Sequence, residues 1–321
     1  MASQDQRRST VHLRPDALSR LMMEQYGLQG ARLTLVREGD NSVFRVDVPS
    51  GERFALRVHT ARRHTAAMLA SELDWLDVLS RAHLPFPQPV RSTSGSWVAA
   101  LPADSAAPAL CTLLTWLEGQ SLPEGQEFTA NQAEHAGQLL ALIHFQAEQF
   151  SAPPSFERPM FDAALFLAFG QHLCQNLGAS VDASRLVRFD VQLKQLIYDL
   201  GLLSSVIGGF GLIHADAHPG NFLQQAAGLA LVDFDRCGWG PFLLDLAHTD
   251  LALDAAGRAA LIAGYTRSRP LPLGYERPLK ALRVLAAVEN LVFLSWRADE
   301  FPFVLESLPV IEQALEALVE D

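Results

Sequence analysis

The sequence predicts an α+β chain in two lobes, a β-rich first third followed by a mostly helical remainder. Three observations carry that prediction. Segments with period-two alternation, SVFRVDV and ERFALRVH, lie early in the chain; long helical periods take over from Ala130; and a short linker runs from Trp116 to Gly119. A length of 321 residues suits two domains or one domain in two lobes, and 49% hydrophobic with 19% charged residues is a globular composition, not a disordered one.

Each element follows from its own pattern. Residues 16–26 carry Leu18, Leu21, Met22 and Tyr26 at helical spacing, and Gly27 marks the stop. ARLTLVRE, SVFRVDV and ERFALRVH then read as strands, the last two joined by the hairpin signal PSGE. Residues 65–82 return to helical period, with Met68, Leu69, Leu73, Leu76 and Leu79 on one face and Glu72 beside it. The Pro-rich LPFPQPV breaks this pattern, and SWVAAL and ALCTLLTWL read as further strands. Beyond the linker, helical patterns cover roughly 131–149, 160–177, 184–206, 255–266, 276–297 and 304–319. Between the third and fourth lies one strand-like polar block, GLIHADAHPGNFLQQAAGLALVDFD.

Charge and cysteine content exclude several classes. With 25 Lys+Arg against 36 Asp+Glu the net charge is −11, whose field repels nucleic acid and anionic membranes and favours cationic partners. Cys111, Cys174 and Cys237 are odd in number and far apart, which indicates neither a disulfide framework nor a zinc knuckle. The start, MASQDQRRST, has no apolar run behind its arginines, and the longest apolar stretch, Leu200 to Ile213, is too short and too rich in Gly and Ser to span a bilayer. The expectation is a cytoplasmic protein.

The densest chemical signal is His214-Ala-Asp216-Ala-His218-Pro-Gly-Asn221, followed by Leu231-Val-Asp233-Phe-Asp235. Apolar neighbours anchor both segments, so the polar groups sit at strand edges. Asp216, Asn221, Asp233 and Asp235 offer the hard oxygens that Mg²⁺ prefers, and a separate Asp in the same loop can accept a proton from a hydroxyl. Taken alone, Asp216 and Asn221 are also ordinary turn residues. His214 and His218, four apart, lack the third ligand of a zinc site.

These residues resemble the catalytic loop and metal segment of the aminoglycoside phosphotransferase family, which is itself similar to choline kinases and the eukaryotic protein kinases. The resemblance implies a bilobal protein kinase-like fold with a β-sheet N-lobe and a mostly helical C-lobe. It further implies ATP and Mg²⁺ as cofactors and a small-molecule hydroxyl as acceptor, with Asp216 as base and Asn221 and Asp233 as metal ligands. Asp235 would assist at the metal, while His214 and His218 would orient the loop.

The resemblance continues upstream in chain order. Glu38-Gly39-Asp40-Asn41 through Val46 is similar to the family's nucleotide loop, Phe54-Ala-Leu-Arg57-Val to the strand whose cation meets the α/β-phosphates, and Glu72 to the acid paired with it. LLTWLEG, Leu113 to Gly119, is similar to the hinge that bonds adenine through its backbone, which puts Trp116 and Leu117 at the nucleotide. LLALIH, ending at His144, resembles a packing helix, and Gly240 to Ala247 a closing segment in which Asp245 is structural. The implied division is a nucleotide-binding lobe over 1–115, a hinge over 116–119 and a catalytic and acceptor lobe over 120–321. Amino alcohols such as homoserine or choline, sugars such as methylthioribose, and aminoglycosides are the acceptor classes; net acidity favours a cationic one.

Two positions depart from the family pattern. Arg57 stands where Lys is frequent; its fork keeps the charge but not the shape. Ala215 stands where Gly is frequent, and fits without strain only if the backbone there does not need a positive φ. Arg57 and Glu72 alone read as an ordinary surface ion pair, and Trp296 with Arg297, Asp299 and Glu300 as a solvated helix end around a packed Trp. Gly208-Gly-Phe-Gly211 precedes a strand and is no dinucleotide fingerprint, and no Walker motif is present. The competing readings are a stress-response-type bacterial protein Ser/Thr kinase, a non-catalytic nucleotide-binding module and, remotely, a metal-dependent hydrolase.

Overall fold

The computed structural model describes residues 15–38, 41–60, 64–101, 109–122, 128–204 and 209–320. Gly39, Asp40 and Gly208, singled out above, lie outside the described residues. The chain divides into two compact units, Met1–Glu118 with Ala152–Glu157, and Gly119–Ser151 with Arg158–Asp321.

The first unit is built on an antiparallel sheet. Helix α1 (Pro15–Tyr26) precedes β1 (Arg32–Glu38), β2 (Asn41–Asp47) and β3 (Arg53–Thr60); α2 (Ala66–Arg81) follows, then β4 (Pro89–Val90), β5 (Val98–Ala100) and β6 (Ala109–Thr115). The sheet order is β1-β2-β3-β6-β4, with β5 also on β6. The hairpin at PSGE forms as read, with Gly51 at φ +94°, a conformation that suits a residue without Cβ. Leu18, Leu21 and Met22 of α1 share one core with Val46, Leu56, Val58, Cys111 and Leu113 of the sheet. Thr65 caps α2 by accepting from the Met68 N–H.

The second unit begins with β7 (Gln120–Ser121) and the helices α3 (Ala130–Gln149), α4 (Ala163–Leu177) and α5 (Ala183–Ser204). The polar block follows as β8 (Phe210–Ile213), a short 3₁₀ turn at Pro219–Asn221, β9 (Phe222–Gln225), β10 (Gly228–Leu231), a second 3₁₀ turn at Phe234–Arg236, and β11 (Gly238–Pro241). These strands make two small antiparallel ladders, β10-β9-β7 and β11-β8. Four helices complete the unit: α6 (Phe242–Asp250), α7 (Ala255–Thr266), α8 (Glu276–Ser295) and α9 (Phe301–Glu320). Among the described residues, no helix is long and apolar enough to cross a membrane.

Helix α6 is the element that periodicity did not announce. All nine of its residues are buried, so it has no polar face and therefore no amphipathic period. Helix α4 starts three residues later than read because Asp162 caps it, accepting from the Leu165 N–H. Helix α9 starts three residues earlier than read, since Pro302 lies in its first turn, where its missing N–H costs nothing.

Helices α3 and α7 meet backbone to backbone through Gly137 and Gly264: a Cβ on Gly264 would run into the Glu134 carbonyl oxygen, and one on Gly137 into that of Leu261. This approach places Tyr265 beside His144, which the site below requires. Gly264→Ala must therefore separate the two helices; equilibrium urea unfolding is expected to show a loss of about 3 kcal/mol.

Candidate active site

Strand β8 carries buried Leu212 and Ile213, and its register with β11, Ile213 opposite Gly238, delivers the polar loop to a fixed point. There the Asp245 carboxylate, fully buried on α6, accepts two consecutive backbone N–H groups: His214 at 2.8 Å and Ala215 at 2.7 Å. Its Oδ2 also accepts from His144 Nε2 at 3.0 Å, and the Tyr265 hydroxyl lies 2.8 Å from His144 Nδ1. Burial pushes the Asp245 carboxyl up, but the His144 hydrogen bond and nearby charge outweigh it and hold the group below the ordinary carboxylate range. Thr249, one turn on, donates to the Ala217 carbonyl at 2.6 Å, so α6 grips the loop on both sides of Asp216.

Ala215 has φ +60°, so the condition for an unstrained alanine is not met. A left-handed alanine costs roughly 1 kcal/mol or more, and the Asp245 clamp holds it there. His214 turns its side chain to the neighbouring segment: its Nε2 donates to the Val232 carbonyl at 3.0 Å, and its ring meets Phe234 edge-on.

Asp216 is ordered from several directions. Its carbonyl accepts from the His218 N–H at 2.8 Å and from Asn221 Nδ2 at 2.9 Å. Its carboxylate accepts from the same Asn221 Nδ2 at 3.1 Å and, through Oδ1, from an Arg236 guanidinium nitrogen at 3.3 Å. His218 caps the turn through Nδ1, which accepts the Gly220 N–H. With its amide nitrogen committed to Asp216, Asn221 directs Oδ1 away from that residue. The Asn221 carbonyl accepts the Val232 N–H at 2.9 Å, which ties the loop to the segment bearing Asp233 and Asp235.

Asp233 is half-buried and left-handed, with φ +68°. Asp235 is half-buried, and its carbonyl accepts from Arg158. Asn221, Asp233 and Asp235 carry hard oxygens on two segments joined by the Val232–Asn221 backbone bond, donor chemistry of the kind a divalent cation takes. Among the described residues no three His, Cys, Asp or Glu side chains converge, so no closed zinc cage is built there.

In the first unit, Arg57 of β3 and Glu72 of α2 form an ion pair with 5% and 1% of their side chains exposed. The surface-pair reading is thereby corrected. A central strand and the inward face of a helix bury both charges, so each needs the other. Asn41 opens β2 opposite His59. The Trp116 N–H donates to the Arg53 carbonyl at 3.0 Å, extending the β3–β6 ladder, and Leu117 follows it half-buried. Trp296 is not packed: at the end of α8 it is 63% exposed, because the helix stops at Ser295 before that side chain can turn inward.

Three participants escaped the sequence reading. Arg236 stands next to Asp235, yet its second partner, Glu289, lies on α8, and His248 of α6 has Nε2 3.4 Å from that carboxylate. The available signal was a lone charged residue in AAVENLVFL, which is apolar apart from Glu289 and Asn290.

Two outcomes follow. Ala215→Gly is expected to raise unfolding free energy by about 1 kcal/mol, measured in urea, by relieving the left-handed alanine. Acid should destabilise the fold earlier than its carboxylates alone require. Burial, then the charge of Arg236, pushes His248 down to about 4, and burial lowers His144 as well. The unfolded chain binds these protons near the ordinary histidine value of about 6.5. Stability from the neutral rings is therefore present above about pH 6.5 and lost as pH falls toward 4, by about 3 kcal/mol for His248. Urea midpoints between pH 7 and 4 check this; a flat profile would contradict it.

Comparison with known proteins gives the family and the fold. A family model described as "Phosphotransferase enzyme family" matches residues 33–279. A homoserine kinase of Caulobacter sp. (strain K31) is 28% identical over 249 residues, covering 74% of this chain and 72% of that one. Among solved structures, the amicoumacin kinase hAmiN in complex with AMP-PNP, Ca²⁺ and Ami superposes with a TM-score of 0.77 at 19% identity, over 94% of each chain. A microcompartment-associated aminopropanol kinase gives 0.76 at 22% identity, over 95% of this chain and 96% of that one. The fold is the protein kinase-like α+β fold that the sequence predicts. The family match takes in the sheet, the clamped loop and the Asp233 segment, and the chain belongs to the aminoglycoside phosphotransferase (APH) phosphotransferase family.

Proposed function

We propose that this phosphotransferase is an ATP- and Mg²⁺-dependent kinase that transfers the γ-phosphoryl group to the hydroxyl of a small molecule. The observation that carries the reading is the fixed Asp216 carboxylate. Asn221 and Arg236 each bond one of its oxygens, on a loop whose backbone Asp245 clamps. A carboxylate held in one plane is suited to orient an attacking hydroxyl and take its proton.

Asn221, through Oδ1, and Asp233 would hold the metal, with Asp235 as a further oxygen donor. A divalent ion so bound supplies charge neutralisation to the phosphates. Arg57, held by Glu72, is the cation for the α/β-phosphates, and Asn41 belongs to the loop that covers them. The Trp116 N–H is committed to the sheet, so adenine would use the Trp116 carbonyl and the Leu117 N–H. In this reading residues 1–115 are the nucleotide-binding lobe, 116–119 the hinge and 120–321 the catalytic and acceptor lobe. The proposed use of ATP is in keeping with a cytoplasmic location.

The named substrates of two relatives, homoserine and aminopropanol, are both amino alcohols. Both carry an ammonium group, balanced in homoserine by a carboxylate; together with the net charge of −11, this supports an amino-alcohol acceptor that presents an ammonium group.

The test is ADP release from MgATP with pooled hydroxyl acceptors, run beside Asp216→Asn. Turnover stimulated by acceptors should fall by about 100-fold or more in the variant. A variant within a few-fold of wild type would remove Asp216 from the base role. Stoichiometric labelling of a protein, with none of small molecules, would move the acceptor to the protein class.

A further inference from the structure

Arg236 spans two carboxylates. One guanidinium nitrogen lies 3.3 Å from Asp216 Oδ1, and the other donates in a tight contact to Glu289 Oε1. The two ends differ in kind. Asp216 is partly exposed, whereas Glu289 is 2% exposed and flanked on α8 by buried Leu285, Ala286, Val288 and Val292. A carboxylate in such a place must be paired with a charge, and breaking that pair is expensive, so the guanidinium is anchored at its Glu289 end. On the far side, His248 Nε2 sits 3.4 Å from Glu289 Oε2, a buried ring that backs the carboxylate against α6.

We infer that Glu289 is a positioning residue for the phosphotransfer reaction, acting through Arg236 to set the plane of the Asp216 carboxylate. The inference rests on the reading of Asp216 as base. At Oδ2 the carboxylate takes one hydrogen bond, from Asn221 at 3.1 Å, with His218 Nε2 further off at 3.8 Å, and a single hydrogen bond leaves the group freer to rotate about its terminal bond. The second donor, at Oδ1, removes that freedom, and its position is set by where Glu289 holds the other end of the fork. Without Glu289 the guanidinium is released to close bidentately on Asp216, a geometry Arg favours, covering both oxygens that a hydroxyl would approach.

The test measures kcat and KM for MgATP, with homoserine and aminopropanol as acceptors and with water in their absence. Wild type, Asp216→Asn, Glu289→Gln, Arg236→Gln and the double variant Arg236→Gln/Glu289→Gln are compared. Nucleotide affinity and urea unfolding are followed for each. Glu289→Gln is expected to lower kcat by about tenfold while KM for MgATP stays within about twofold, and the double variant should match Arg236→Gln within about twofold. A merely structural Glu289 would give independent losses that multiply in the double variant.

An unchanged kcat in Glu289→Gln, or multiplying losses, overturns the inference while Asp216→Asn still reports on the base. Activity retained in Asp216→Asn, or no turnover in wild type, overturns the underlying reading and the inference with it. If Glu289→Gln does not fold, the double variant, which leaves no unpaired buried charge, decides the matter. A kcat equal to that of Arg236→Gln supports the inference, and a lower one overturns it.

Discussion

One carboxylate organises the catalytic half of this molecule. Asp245 accepts the N–H groups of two consecutive loop residues, His214 and Ala215, and a third hydrogen bond from His144. The torsions of His214 aim the two adjacent N–H groups at one carboxylate, and immediately beyond the clamp the chain bends at Ala215, φ +60°. That conformation is one an alanine would otherwise avoid, and its strain is offset by charge-assisted hydrogen bonds in a dry environment. Everything downstream hangs from that bend: Asp216 is the next residue, and the Asn221 amide closes back on it.

The clamp is supported in turn by close helix packing. His144 lies on α3 and Tyr265 on α7, and their contact requires those helices to meet at Gly137 and Gly264 without side chains between them. A glycine pair far from Asp216 in the sequence therefore bears on where Asp216 sits. Aromatic packing reinforces the same point, with the His144 ring stacked on Phe242 at the start of α6.

Buried charge recurs as a device in both units. Arg57 with Glu72 in the first, and Arg236 with Glu289 in the second, each join a cation from a strand or strand-edge turn to a carboxylate on a helix. Such pairs contribute less to stability than to geometry, because desolvation cancels much of their attraction while leaving one arrangement far better than the rest. Long arginine side chains, which have many rotamers in water, are thereby reduced to one.

By itself the sequence determined the α+β class, the order of strands and helices, and the pairing of a D-x-x-x-x-N turn with a nearby D-x-D segment. These depend on local periodicity, turn chemistry and short spacing, which a linear reading captures; Asp216 and Asn221 are five residues apart and hydrogen-bond across one turn. The tertiary structure alone decided the rest. Helix α6, buried on every side, has no period to read, and the N–H of left-handed Ala215 is held by Asp245, thirty residues further on. The partnership of Arg236 with Glu289 spans 53 residues and joins a turn to a helix. A burial environment is made by the whole chain at once, and so is the choice of which long side chain meets which buried carboxylate; neither is written in the neighbourhood of the residue it governs.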